Sequence, residues 1–208
     1  GGELREGLFK YLELVYQGKD DISSLATVLG KTTGKLDGQY GRFLVVRDQD
    51  LARLPPGVSL NNLTLGSCPV SDQGIQYLAG QQELRWLDLT GTMVSDRGFS
   101  VIADSTQMEQ LSLERTGITD RSMEILAGMK QLEELDLSST AVTDKGIASL
   151  SGLRQLKRLW LTGTMISDEG LQHLEPLKQL ETLELSGTDV SDDAVKLLRA
   201  KLPKLKDQ

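Results

Sequence analysis

Six leucines of this chain, Leu63, Leu87, Leu111, Leu135, Leu159 and Leu183, stand 24 residues apart. Leu65, Leu89, Leu113, Leu137, Leu161 and Leu185 repeat the interval two positions on. A fixed period of this length means a stack of small units. One such unit cannot bury its apolar faces alone, and stacked neighbours bury them for one another. The chain is therefore expected to form a linear array with a continuous core. Its 38 leucines among 208 residues supply that core.

One period shows the local grammar. Leu84-x-x-Leu87-x-Leu89 alternates as a short strand with one buried face. Phe99 and Ile102 then fall at helical spacing, with Ser95-Asp96 at the switch. A serine or threonine there accepts from a free amide of the first turn, and the aspartate adds charge favoured by the helix dipole. The pair recurs as Ser71-Asp72, Thr119-Asp120, Thr143-Asp144, Ser167-Asp168 and Ser191-Asp192. Cys68 takes the place held by Thr92, Thr116, Thr140, Thr164 and Thr188 in later periods, so it reads as a buried ladder position.

With these residues in view, the sequence resembles the leucine-rich repeat family. It is similar to the 24-residue subtype with a Thr or Cys ladder and an Ile/Val-Ser/Thr-Asp-x-Gly signature, found in bacterial (planctomycete-type) and F-box-type proteins. The resemblance covers about residues 57–202. It implies an α/β solenoid or horseshoe, with a concave parallel β-sheet, convex α-helices and a role in protein binding.

The ends of such an array need covering. Residues 1–56 read as a helical N-terminal cap. Within them, 3–16 and 21–29 are expected helices, and Phe43–Val46 an irregular first strand. Asp50–Leu54 reads as a truncated helical piece. Residues 57–190 carry the repeats. Residues 191–208 are expected to hold the last helix, over 192–202, and the C-terminal cap with a basic tail of Lys201, Lys204 and Lys206. The rival reading of 1–56 is a separate recognition domain.

Several chemistries fit poorly. Thirty acids against 23 bases give a net charge of -7, the wrong sign for a nucleic-acid footprint. Gly30-Lys31-Thr32 lacks the earlier glycine of a phosphate loop, since Leu25 stands there. One cysteine and one histidine make neither a disulfide framework nor a thiolate zinc site. His173 lies beside Leu171 and Leu174 on a helix and is expected on the solvent side. One repeated aspartate per period makes no calcium cage, and helix capping accounts for it. No metal, cofactor or catalytic residue is expected, and no membrane span. The chain opens Gly1-Gly2, which leaves cytoplasm or export open and leaves open a signal or anchor upstream.

The informative positions alternate with the core leucines and so face outward from the sheet. The first column reads Asn62, Trp86, Gln110, Glu134, Arg158, Thr182. The second reads Thr64, Asp88, Ser112, Asp136, Trp160, Glu184. The third reads Gly66, Thr90, Glu114, Ser138, Thr162, Ser186. Both tryptophans of the chain fall here, three rungs or about 14 Å apart by strand spacing. Partner binding is therefore expected at Trp86, Asp88, Glu114, Glu134, Asp136, Arg158, Trp160 and Glu184. Trp86 and Trp160 are the expected anchors, and the surplus of acids points to a basic protein or peptide. Glu134 and Arg158 also stand opposite each other, where they would pair across strands. The expected state is a monomeric, non-enzymatic interaction module. The rivals are a structural or assembly domain of a longer chain and an adaptor in a ubiquitin-ligase-like complex.

Overall fold

The computed structural model describes residues 46–54 and 59–206. The expected helices over 3–16 and 21–29, the expected strand up to Val45 and the Gly30-Lys31-Thr32 segment lie outside the described residues.

The element order is α1 (Asp48–Leu51), β1 (Asn62–Thr64), α2 (Asp72–Ile75), β2 (Trp86–Asp88), α3 (Asp96–Phe99), β3 (Gln110–Ser112), α4 (Asp120–Leu126), β4 (Glu134–Asp136), α5 (Asp144–Ser149), β5 (Arg158–Trp160), α6 (Asp168–Gln172), β6 (Thr182–Glu184) and α7 (Asp192–Lys201). The strands form one parallel sheet in the order β1-β2-β3-β4-β5-β6. Its register follows the sequence period: Leu63 pairs with Leu87, Leu87 with Leu111, and so on to Leu159 with Leu183. Strands in such a sheet lie about 4.8 Å apart, whereas packed helices need about 8–10 Å. The stack therefore curves with the strands inside. Short helices, three of them followed by a single 3-10 turn, limit that curvature.

The core runs the length of the array. Leu87, Leu89, Leu113, Leu135, Leu137, Leu159 and Leu161 have no exposed surface, and neither does Phe99. Burying a leucine this completely stabilises by about 1.5–3 kcal/mol relative to exposure. Helix starts follow the expected chemistry. Ser71, Ser95, Thr119, Thr143 and Ser167 each accept from the backbone N–H two residues on. Ser191 accepts from Ala194 instead.

The aspartates do more than dress the helix dipole. The Oδ atoms of Asp48, Asp72, Asp96, Asp120, Asp144 and Asp168 accept from the backbone N–H and the hydroxyl of the capping residue in the following rung. The donors are Ser71, Ser95, Thr119, Thr143, Ser167 and Ser191. Each hydroxyl thus donates to one rung and accepts within its own, using both its capacities. Capping and inter-rung bonding are one network. It begins at Asp48, so α1 joins the stack with Arg47 where later rungs carry Ser or Thr. The helical piece expected at Asp50–Leu54 starts two residues earlier for this reason.

The threonine column is satisfied locally. Thr92, Thr116, Thr140, Thr164 and Thr188 each donate to the carbonyl three residues back. Cys68 is buried at the equivalent place, as its ladder position predicts. The turn just before each has φ between 53° and 71°, held by Ser67, Gly91, Arg115, Ser139, Gly163 and Gly187. Three of the six are not glycine, so half of these turns carry backbone strain.

The expected last helix, 192–202, runs over Asp192–Lys201. Lys201 at its end and the lysines after it each meet a partner on the preceding rung. Lys201 pairs with Glu175, Lys206 with Glu181, and Lys204 bonds Gln179. Lys206 N–H donates to Glu181 O at 3.0 Å, the bond that Thr182 makes to Lys157 one rung earlier. The backbone after α7 thus repeats one inter-rung bond of the earlier rungs.

Candidate functional site

The first two outward columns stand where the register puts them, while in the third, expected to face solvent, Ser138 is buried. Trp86 follows Asn62 and precedes Gln110, and Trp160 lies between Asp136 and Glu184. Trp86 leaves 42% of its surface exposed, and Trp160 is half-buried. An indole that solvated on a sheet face, with no core to fill, is an available contact.

The acids divide into two kinds. Asp88 Oδ1 accepts from Thr90 N–H at 2.9 Å, and Asp136 Oδ1 accepts from Ser138 N–H at 2.8 Å. These bonds fix both carboxylates at the end of their strands. Asp88 also leans over Gly66: a Cβ there would lie 2.7 Å from its Oδ2. Glycine at that position is what lets the carboxylate settle. Glu134 belongs to the second kind. Arg158 Nη2 donates to it across the rung, and Gln110 Nε2 donates to the same oxygen at 3.0 Å. That hydrogen bond, with the Glu134 charge, raises the pKa of Arg158 further. The cross-strand pair expected from the sequence is therefore formed. Glu114 pairs with its neighbour Arg115 at 3.0 Å. The sheet face is accordingly less acidic than its columns suggest, and of its acids Asp88 and Asp136 form no ion pair among the described residues.

Sequence reasoning passed over the column just before the strands. Arg85 pairs with Glu109 at 2.6 Å, and Lys157 pairs with Glu133 at 2.7 Å. Each pair is one period apart, so the 24-residue spacing carried the signal. Such exposed pairs contribute about 0–1 kcal/mol each and act chiefly on register and solubility.

Among the described residues no group of three or more His, Cys, Asp or Glu is placed to hold a metal. His173 is exposed. A surface groove of about 340 Å³ between α6 and α7 is floored by Leu171 and Leu198 and bordered by Asp168, Glu175 and Asp193. The backbone and side-chain hydrogen bonds from Ser191 hold the Asp168 carboxyl below its ordinary range. A general acid needs the opposite shift. No helix among the described residues is long and apolar enough to cross a membrane.

A family model described as a leucine-rich repeat matches residues 130–151, the span from the approach to β4 through α5. The chain folds as a leucine-rich repeat solenoid. Solved structures agree with this. Internalin C2 of Listeria monocytogenes is 26% identical to this chain at a TM-score of 0.54, over 77% of this chain and 72% of that one. A second Listeria monocytogenes internalin, inlF, is 22% identical at a TM-score of 0.52, over 71% and 46%. A leucine-rich repeat protein of Leptospira interrogans is 23% identical at a TM-score of 0.53, over 71% and 36%. The chain thus spans less than half the length of the latter two, which share its fold. No curated protein sequence matches it.

Proposed function

We propose that this solenoid is a non-enzymatic module that binds a protein or peptide on its sheet face. Leucine-rich repeats serve in general as protein-interaction scaffolds, and the observation that carries the reading here is Trp86. It is 42% exposed on a rigid hydrogen-bonded sheet, at a position the core did not choose. Trp86 and Trp160 act as anchors about three rungs apart. Asp88, Asp136 and Glu184 select the polar groups of a partner with basic character, and Glu114, Glu134 and Arg158 complete the rim. Steering by the remaining acids would speed encounter at low salt. The Thr/Cys ladder and the Ser/Thr-Asp-x-Gly signature support assigning the repeats to the 24-residue subtype. The division into a cap over 1–56, repeats over 57–190 and a closing segment over 191–208 belongs to the same reading, as does a monomeric state.

The test is affinity capture from native lysate at two salt concentrations. It compares the wild type, Trp86→Ala/Trp160→Ala, and a helix-side control altered at Gln172 and His173. Partners lost from the tryptophan variant alone, and weakened by salt, are expected. Partners retained equally by all three proteins would sink the sheet-face reading.

A further inference from the structure

Arg97, Arg121 and Lys145 occupy one position in three consecutive rungs, the second residue of α3, α4 and α5. All three are exposed. Their backbone N–H groups donate to the capping hydroxyls of Ser95, Thr119 and Thr143, which fixes the direction in which each side chain leaves the helix. Adjacent rungs are also hydrogen-bonded just before these helices, Gly117 N–H to Val94 O at 2.8 Å and Ala141 N–H to Ile118 O at 3.1 Å. The three side chains therefore start one rung apart each, a spacing between the ~4.8 Å of paired strands and the ~8–10 Å of packed helices.

What sets these cations apart is their alignment at one position of successive rungs. Arg85, Arg115, Lys157, Arg158, Lys196, Lys201 and Lys206 each pair with a carboxylate, whereas Arg53 and Lys130, like these three, form no ion pair among the described residues but stand singly. Arg97, Arg121 and Lys145 form no ion pair among the described residues. The acids beside them in sequence, Asp96, Asp120 and Asp144, turn their carboxylates to Thr119, Thr143 and Ser167 of the next rung. Glu124, exposed on α4, borders the stripe. In a chain of net charge -7, a row of three aligned cations runs against the overall balance.

Apolar surface runs alongside. Val101 and Ile125 lie four residues after Arg97 and Arg121, on the same face of the helical segment, and both are half-buried. On the other side Met93 is 63% exposed and is followed one and two rungs on by Gly117 and Ala141, both exposed.

We propose that this stripe docks an acidic amphipathic helix of a partner protein, independently of the sheet face. Carboxylates three and four residues apart on a helix stand about 5–6 Å from one another, and the long arginine and lysine side chains, one rung apart, can reach successive members of such a row. A helix laid along the stripe meets Arg97, Arg121 and Lys145 in turn and turns an adjacent apolar edge onto Val101 and Ile125. Three cations are a poor footprint for nucleic acid on so acidic a chain.

The probe is a labelled synthetic helix of about 18 residues, with glutamates at i, i+4 and i+7 and leucines along the adjacent edge. Its binding is read by fluorescence anisotropy at low and high salt. A scrambled peptide of the same composition and a single-stranded DNA of similar length serve as competitors. The triple variant Arg97→Gln/Arg121→Gln/Lys145→Gln alters only exposed side chains, and its melting temperature should fall only slightly, since Arg121 is the smallest of the causes that lower the Asp96 pKa. It is expected to weaken the peptide on the order of tenfold, the effect of losing three exposed charge pairs. Trp86→Ala/Trp160→Ala is expected to bind the peptide as the wild type does. Absent binding to the wild type, equal binding to the triple variant, or equal binding of the scrambled peptide or the DNA would each overturn the proposal.

Discussion

Gly74, Gly98, Gly146 and Gly170 sit third in their helices because a carboxylate of the preceding rung already fills the space a side chain would take. A Cβ at Gly98 would run into Asp72 Oδ1 and lie 2.8 Å from Ile75 Cγ2. The other three meet Asp48, Asp120 and Asp144 in the same way. This is the physical content of the Asp-x-Gly signature: the aspartate of one rung favours a glycine in the next, while α7, whose Ser191 cap accepts from Ala194 N–H and not from the residue two on, carries Ala194 in its place. Rung α4 carries a polar side chain there instead. Ser122 takes the glycine position, and its hydroxyl donates to Asp96 Oδ1 at 2.6 Å. Gly98→Ala should therefore cost about 1–3 kcal/mol, the range for overpacking a filled site. Gly98→Ser should cost less, because its hydroxyl recovers a bond to Asp72. Urea unfolding of the three proteins checks the order. A serine variant as unstable as the alanine one would refute this account of the signature.

At the scale of the element, the aspartate network makes helix starts sensitive to acid. Burial raises the pKa of Asp96, but hydrogen bonds from Ser122 and from the Thr119 hydroxyl and amide, with the charge of Arg121, outweigh it and hold the carboxyl below its ordinary range. Asp168 is lowered by the Ser191 amide and hydroxyl. A carboxylate whose folded pKa lies below its unfolded value of about 3.9 stabilises above that value. The stabilisation is lost as the pH falls through the lowered folded pKa. The melting temperature should therefore hold down to about pH 5 and drop below about pH 4. Asp96→Asn should melt lower at neutral pH and show a shallower acid decline. Thermal melts from pH 7 to pH 2.5 test this, and an identical acid decline in the variant would remove Asp96 as a cause. Strands and helix starts were legible in the sequence because each rests on a local pattern, Leu-x-Leu or Ser/Thr-Asp, repeated at one interval. The double use of the aspartate was not, because its partner lies 23 residues away and only the stacked register brings it close. The sheet columns were likewise readable as positions. The pairing that softens their charge, Glu114 to Arg115 and Glu134 to both Arg158 and Gln110, depends on rotamers that no periodicity specifies. The helix-side cations share the legibility of the columns: Arg97, Arg121 and Lys145 are spaced by one period, but they gain meaning only once their neighbours' acids are seen turned inward.

At the scale of the molecule, stability should follow position along the stack. Each rung touches its two neighbours, so free energy is approximately a sum of rung and interface contributions. Leu135 is fully buried in β4, with β3 on one side and β5 on the other. Leu185 stands just past β6, the last strand among the described residues, and is half-buried. Leu135→Ala removes contacts from two interfaces at once and should cost about 2–5 kcal/mol. Leu185→Ala should cost clearly less, since part of its surface is already in water. The two should also differ in reach. Hydrogen exchange after Leu135→Ala should show lost protection in β3, β4 and β5 together, with β1 and β6 less affected. After Leu185→Ala the loss should stay within β6 and α7. Equal loss of protection in all six strands for both variants would mean that the array opens as a single unit. The nearest-neighbour account of its stability would then fail.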